Sequence, residues 1–242
     1  MIPFPPLTRG VIQRRYKRFL ADVELPDGEV VVAHCPNPGS MKSCWEPGWG
    51  AWLSHSDNPK RKLKWTLEML EAPEGLILVN TQRPNGVVEA GIRAGLVEEL
   101  RGYEGLRREV RYGEKSRVDL LLEHEGRPPC YVEVKSVTLS LGGGLGAFPD
   151  SVTKRGAKHL RELAAEVQRG NRAVMFFLAP REGVRAVRVA HEIDPTYAAE
   201  LKRAMAAGVE VIVHAAELSP EGVTLGGALQ FIEEFGIEEL GL

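Results

Sequence analysis

The sequence predicts a mixed α/β protein that opens with a small closed β-barrel. Three observations carry that expectation. Short apolar runs separated by turn residues fill the first eighty positions. Helix-period and strand-length segments mix after Val79. An Asp on one expected strand is followed by Glu-x-Lys on the next.

In the first part, Phe19 to Leu25, Val30 to Ala33 and Trp49 to Leu53 are strand-length, and Pro26-Asp27-Gly28, Pro36-Asn37-Pro38-Gly39, Pro47-Gly48 and Asp57-Asn58-Pro59 punctuate them. Several short strands at this spacing, with no helix-period stretch among them, predict a small barrel of the OB type over residues 1–80. In that barrel Phe19 is expected in the core.

Residues 81–242 have another texture. Val88, Ile92, Leu96 and Leu100 recur every four residues, the stripe of an amphipathic helix. Arg108 to Tyr112, Arg117 to Glu123 and Tyr131 to Val137 read as a three-stranded meander. A helix is expected from Ser151 to Arg169, capped by Asp150 or Ser151 and ended by Gly170. The apolar run Ala173 to Leu178 predicts a central strand buried on both faces. Val184 to Ala190 and Val209 to His214 as strands, with Pro195 to Ala207 as a helix, complete the unit, and Gly226 to Leu242 reads as a short amphipathic helix.

The order helix, three strands, helix, strand, with Asp119 on the second strand and Glu133-Val134-Lys135 on the third, is the pattern of a PD-(D/E)xK nuclease core. Residues two apart on a strand share a face, so Glu133 and Lys135 project together while Val132 and Val134 point into the core. Asp119 can meet Glu133 across the sheet, and two close carboxylates repel unless a cation lies between them. Hard oxygen ligands suit Mg²⁺ or Mn²⁺, with Asp119, Glu133 and the Val134 carbonyl as expected ligands. Lys135 beside the metal would orient an attacking water. The competing expectation is that these are only the polar face of a sheet. Glu89, on the first helix, is a further candidate carboxylate.

Gly142-Gly143-Gly144-Leu145-Gly146 lacks a following Gly-Lys-Ser/Thr, so a mobile flap is expected there rather than a phosphate cradle. On the next helix, Arg155 with His159, and Lys154, Lys158 and Arg161, have the spacing of two adjacent faces. Arg155 and Lys158 are candidate nucleic-acid contacts. His159 is either an acid–base group or a packing residue.

The net charge of −2 hides local patches: Arg9, Arg14, Arg15, Lys17 and Arg18 lie together without an acid, and Lys60 to Lys64 holds four more bases. Arg14, Arg15, Lys17 and Arg18 are expected to track phosphates, with Tyr16 or Phe19 offering a stacking surface. DNA, single-stranded or structured, ranks ahead of RNA as the partner. Cys35, Cys44 and Cys130 form neither a disulfide framework nor a zinc ribbon. No run approaches a membrane span, and a cytoplasmic location is expected.

Arg14 to Val23, His34-Cys35-Pro36-Asn37, Gly39-Ser40-Met41, Val79-Asn80-Thr81, Tyr131 to Leu139, Phe148-Pro149-Asp150, Arg155-Gly156 and Lys158-His159-Leu160 resemble the signatures of the sugar fermentation stimulation protein A family. The resemblance runs from about residue 7 to residue 215. It implies an OB-like domain followed by a restriction-endonuclease-like domain, with Asp119, Glu133 and Lys135 as the nuclease-type residues. It also implies DNA binding, and it leaves open two roles: a metal-dependent nuclease, or a non-catalytic regulator of sugar (maltose-type) metabolism genes. Two departures are visible: Asn37-Pro38-Gly39 where the family has Asn-Thr-Gly, and Ala157 where many members carry Gln.

Overall fold

A computed structural model describes residues 1–113 and 116–235. After a two-residue strand β1 (Ile2–Pro3), the chain forms β2 (Leu7–Tyr16), β3 (Leu20–Glu24), β4 (Val30–His34), β5 (Gly50–His55), β6 (Trp65–Ala72) and β7 (Gly75–Leu78). Strands β2 to β7 make one sheet in the order β4-β3-β2-β5-β6-β7, and a parallel pairing of β4 with β6 closes it into the OB-type barrel. Ile12, Ala21, Val23, Ala33, Ala51 and Leu53 fill the lumen, Ala21 with Val23 and Ala51 with Leu53 two apart on their strands. Phe19, expected in that core, is instead 46% exposed. It ends the Lys17–Phe19 turn between Tyr16 and Leu20, which are paired, and so falls outside the ladder.

The second unit begins with α1 (Pro84–Arg93), whose first helical residue is the proline. The helix stops before Leu96, because Gly95 takes φ +70° and turns the chain, and Leu100 lies in a separate 3-10 turn. Strands β8 (Gly105–Tyr112), β9 (Ser116–Glu123) and β10 (Cys130–Ser136) form the expected antiparallel meander. Then come β11 (Leu139–Ser140), β12 (Leu145–Phe148), α2 (Lys154–Gln168), β13 (Arg172–Ala179), β14 (Ala186–Val189), α3 (Pro195–Ala206), β15 (Glu210–Ser219), β16 (Gly222–Ala228) and β17 (Gln230–Ile232).

The main sheet has seven strands in the order β1-β16-β15-β13-β10-β9-β8, with β10, β13 and β15 parallel, a restriction-endonuclease-like core. Strand β13 is central and buried on both faces. Val174 and Phe176 face α1, while Met175 and Phe177 face α2 and α3. Each buried Phe contributes about 2–3 kcal/mol of transfer free energy. A smaller sheet, β11-β12-β14-β17, flanks the second face.

Two expectations are corrected, and the glycine run is placed in the fold. Residues 226–228 and 230–232 are strand rather than helix, because β16 pairs with β15, β17 pairs with β14 and Phe231 stacks on Phe177; residues 236–242 of the expected helix lie outside the described residues. The glycine run is the tip of the β11–β12 hairpin, where Gly142, Gly143 and Gly144 adopt positive φ and Arg185 donates to the Gly143 carbonyl at 3.0 Å. The cap of α2 is Thr153, whose hydroxyl accepts the Gly156 N–H at 3.0 Å.

Asp150, released from that cap, joins the two parts of the chain. Its Oδ2 accepts from Met41 N and Ser40 Oγ, both at 3.1 Å. A Cβ at Gly39 would sit 2.6 Å from the same oxygen, which explains the glycine. A second junction centres on Glu68 of β6, only 2% exposed, which accepts from Ser54, Asn80 and Arg83. Met69 and Leu78 of the barrel sheet pack in the same core as Leu120, Val132 and Phe176. Among the described residues no helix is long and apolar enough to cross a membrane.

Candidate functional site

Strand β10 runs through the middle of the main sheet, and its pleat turns Val132 and Val134 into the core under α1 and Glu133 and Lys135 to the other side. Glu133 is 2% exposed, a burial that a carboxylate tolerates only with partners. Its Oε1 accepts from Lys135 Nζ at 2.6 Å and from His159 Nδ1 on α2. Its Oε2 is buried and has no hydrogen-bond partner. Burial pushes the Glu133 carboxyl up, but the His159 hydrogen bond and the Lys135 charge outweigh it and hold the group below the usual carboxylate range.

Asp119 sits on β9, beside β10. Its Oδ2 accepts the Val134 N–H and its Oδ1 accepts from Asn85 Nδ2 on α1, both at 2.8 Å. Burial, reinforced by the negative charge of Glu133, raises the Asp119 carboxyl above its ordinary range. Asp119, Glu133 and Lys135 therefore meet in one cleft of about 430 Å³. The barrel loop at Asn37, Pro38 and Gly39 forms one wall, and Thr153, Arg155 and His159 of the α2 region form another.

The remaining candidates divide. Arg155 lines the cleft and donates from Nε to His159 Nε2 at 3.2 Å. Lys158 is on the flank instead, bonded to Ser116 Oγ at 3.1 Å, and does not line the cleft. Arg161 of the same expected basic face pairs with Glu200 on α3 at 3.3 Å. Arg14 pairs with Asp22 at 2.6 Å and lies over the Tyr16 ring, while Arg15 donates to the carbonyls of Arg18, Asn37 and Gly39. Lys17 and Arg18 are exposed on the hairpin turn. Glu89 does not turn to the centre: Arg93 and Arg108 hold it at 3.0 and 3.4 Å.

One turn before Glu89, Asn85 is the residue of α1 that reaches Asp119. Sequence reasoning missed it, and its only signal is its place just after Pro84 at the head of a helix. Among the described residues no group of three or more His, Cys, Asp or Glu side chains is arranged to hold a metal ion. The centre consists of two carboxylates with a lysine and a histidine bound to one of them.

Comparison with known proteins gives consistent matches. A family model described as "Sugar fermentation stimulation protein RE domain" matches residues 82–222, and one described as "SfsA N-terminal OB domain" matches residues 14–79. A sugar fermentation stimulation protein homolog of Maricaulis maris is 54% identical over 219 residues, covering 90% of this chain and 93% of the relative. A homolog of Shewanella loihica is 52% identical over 227 residues, covering 93% and 97%. The solved structure of Pyrococcus furiosus SfsA in complex with Ca²⁺ has a TM-score of 0.85 at 28% identity, covering 96% of this chain and 98% of that one.

Proposed function

Since this chain belongs to the sugar fermentation stimulation protein family, we propose that it binds DNA and that Asp119, Glu133 and Lys135 form a divalent-metal-dependent centre hydrolysing phosphodiester bonds. The observation that carries the reading is the buried, unpartnered Oε2 of Glu133 in the same cleft as Asp119. Two carboxylates brought this close ask for positive charge, and one lone-pair-bearing oxygen is left without any.

The donor set fits a hard cation. Both backbone groups of a strand residue project to the same edge, and the Val134 N–H meets Asp119, so the Val134 carbonyl is on the Asp119 side as well. Asp119, Glu133 and that carbonyl are all oxygens, and a cation with so few protein ligands keeps waters, as Mg²⁺ or Mn²⁺ does. The relative solved with Ca²⁺ supports a divalent ion of this kind. Bound there, the ion would neutralise phosphate charge and supply a polarised water.

This chain's own residues do the rest. Lys135, with Nζ beside Glu133, orients the attacking water and stabilises charge on the phosphate as it grows. Arg155 on the cleft wall holds a neighbouring phosphate. Lys17 and Arg18 at the barrel turn follow the strand further out. The division of labour falls at about residue 80, with residues 1–80 gripping the nucleic acid and residues 81–242 carrying the chemistry.

A second reading, a non-catalytic DNA-binding regulator of sugar (maltose-type) metabolism genes, is favoured by one observation: Lys135 already supplies Glu133 with a positive charge, and His159 with a hydrogen bond, without any metal. Incubation with single-stranded, duplex and branched DNA and RNA, in Mg²⁺, Mn²⁺ or chelator, separates the two. Metal-dependent cleavage of any of these supports the nuclease; metal-independent binding with no cleavage supports the regulator.

A further inference from the structure

We infer that His159 is a positioning residue: as a neutral imidazole with its proton on Nδ1, fixed in that tautomer by Arg155, it holds Glu133 so that Oε2 is presented to the cleft. The inference rests on the proposed metal centre and deepens it. Arg155 Nε is a donor and cannot accept, so the His159 Nε2 it meets at 3.2 Å must offer a lone pair. An imidazole with a lone pair on Nε2 carries its proton on Nδ1, the nitrogen that bonds Glu133 Oε1. The two residues are one helical turn apart on α2, so the helix sets their spacing.

The arrangement has a geometric consequence. Glu133 Oε1 is taken by His159 and Lys135, and a rotation of the carboxyl that exchanged the two oxygens would break both bonds. Oε2 is left buried and unpartnered. His159 itself is 3% exposed, and both of its ring nitrogens are engaged, one by Glu133 and one by Arg155. Asp119 is held in a parallel way by Asn85 and the Val134 N–H. Each carboxylate thus has its own donors, and partners of this kind are worth about 10–100-fold in metal affinity.

The test uses the full chain and two readouts that do not depend on cleavage. In ¹⁵N-labelled wild type, the His159 ring should show a protonated Nδ1 and an unprotonated Nε2, and Arg155→Ala should abolish that preference. In Mn²⁺ titrations His159→Ala should bind at least about 10-fold more weakly. His159→Asn places an amide N–H near the Nδ1 position and should recover most of the loss, whereas His159→Gln, which reaches the Nε2 position, should not. Thermal unfolding of each variant shows whether it is folded, and the ring measurement on wild type stands without any variant. An Nε2-protonated or doubly protonated ring, unchanged Mn²⁺ binding in His159→Ala, or equal recovery by Asn and Gln would overturn the inference. A wild type with no Mn²⁺ site contradicts the proposed function and overturns the positioning role with it. In that case the ring measurement still tells whether the Glu133–His159 bond exists as a purely structural one.

Discussion

The Asp119 carboxylate on β9 stands where a backbone acceptor would stand, taking the Val134 N–H of β10 at 2.8 Å. The ladder between the two strands runs through Leu120 and Val132 and is continued by this side chain. A sheet interior thereby gains an opening at the point where Glu133 turns out of the core. The opening is an electrostatic liability, with two acids in one partly dry cleft, and that liability is what the proposed function uses.

Asp119→Ala should remove a metal ligand and leave the Val134 N–H without its acceptor. Mn²⁺ affinity measured by calorimetry should fall by at least about 100-fold, more than for loss of a supporting partner. Binding equal to wild type would show that Asp119 is not a ligand.

Stability should respond to pH in opposite senses at the two acids. A carboxyl raised in the fold, as Asp119 is, stabilises while protonated and loses that contribution as pH rises through its folded value. Glu133 is lowered, so its contribution is present above its unfolded value and is lost as pH falls through the folded one. As pH rises from about 4, the ordinary Asp value, toward about 7, Asp119→Asn should gain stability relative to wild type, whereas Glu133→Gln should keep a constant deficit above about pH 4.3, the ordinary Glu value, and lose that deficit as pH falls below it. Urea midpoints for Asp119→Asn that keep a constant offset from wild type above about pH 4, or for Glu133→Gln that keep one below about pH 4.3, would contradict the respective assignment.

Glu68→Ala should destabilise the whole molecule, since it leaves Arg83 and Asn80 without their acceptor at the junction of barrel and nuclease-like unit. Breaking such a buried pair from one side costs about 3–5 kcal/mol. Chemical denaturation giving under ~1 kcal/mol would mean water replaces the carboxylate there.

The barrel's basic residues should not act alike in DNA binding. Removing Lys17 or Arg18 should flatten the log–log salt dependence by about 0.7–0.9 each. Arg15→Ala should instead loosen the loop at Asn37 and Gly39, whose carbonyls it holds. Equal slopes for wild type and a Lys17→Ala/Arg18→Ala pair would place the phosphate track elsewhere.

The sequence made some of this architecture legible because the signals are local. Alternation along β10 placed Glu133 and Lys135 on one face, and the unbroken run 173–178 marked the central strand. What escaped depends on contacts distant in the chain. Asn85 gains its role only when α1 packs against β9, and Asp150 looked like a helix cap because nothing local reveals Ser40 and Met41. The four-residue period continued through Leu96 and Leu100, yet Gly95 ended the helix. At the C-terminal side, pairing with β14 overrode an amphipathic pattern. His159 was visible as a residue, but its bond to Glu133 required α2 to lie across β10.

The most direct test is cleavage by Lys135→Ala against wild type on single-stranded, duplex and branched DNA at saturating Mg²⁺ and Mn²⁺, with DNA affinity measured in parallel. Lys135 is not a ligand in this account, so at saturating metal the variant should bind DNA nearly as wild type does. Loss of a positioned transition-state donor should slow cutting by at least about 100-fold. A wild type that binds DNA yet leaves every strand type intact under these conditions would contradict the account.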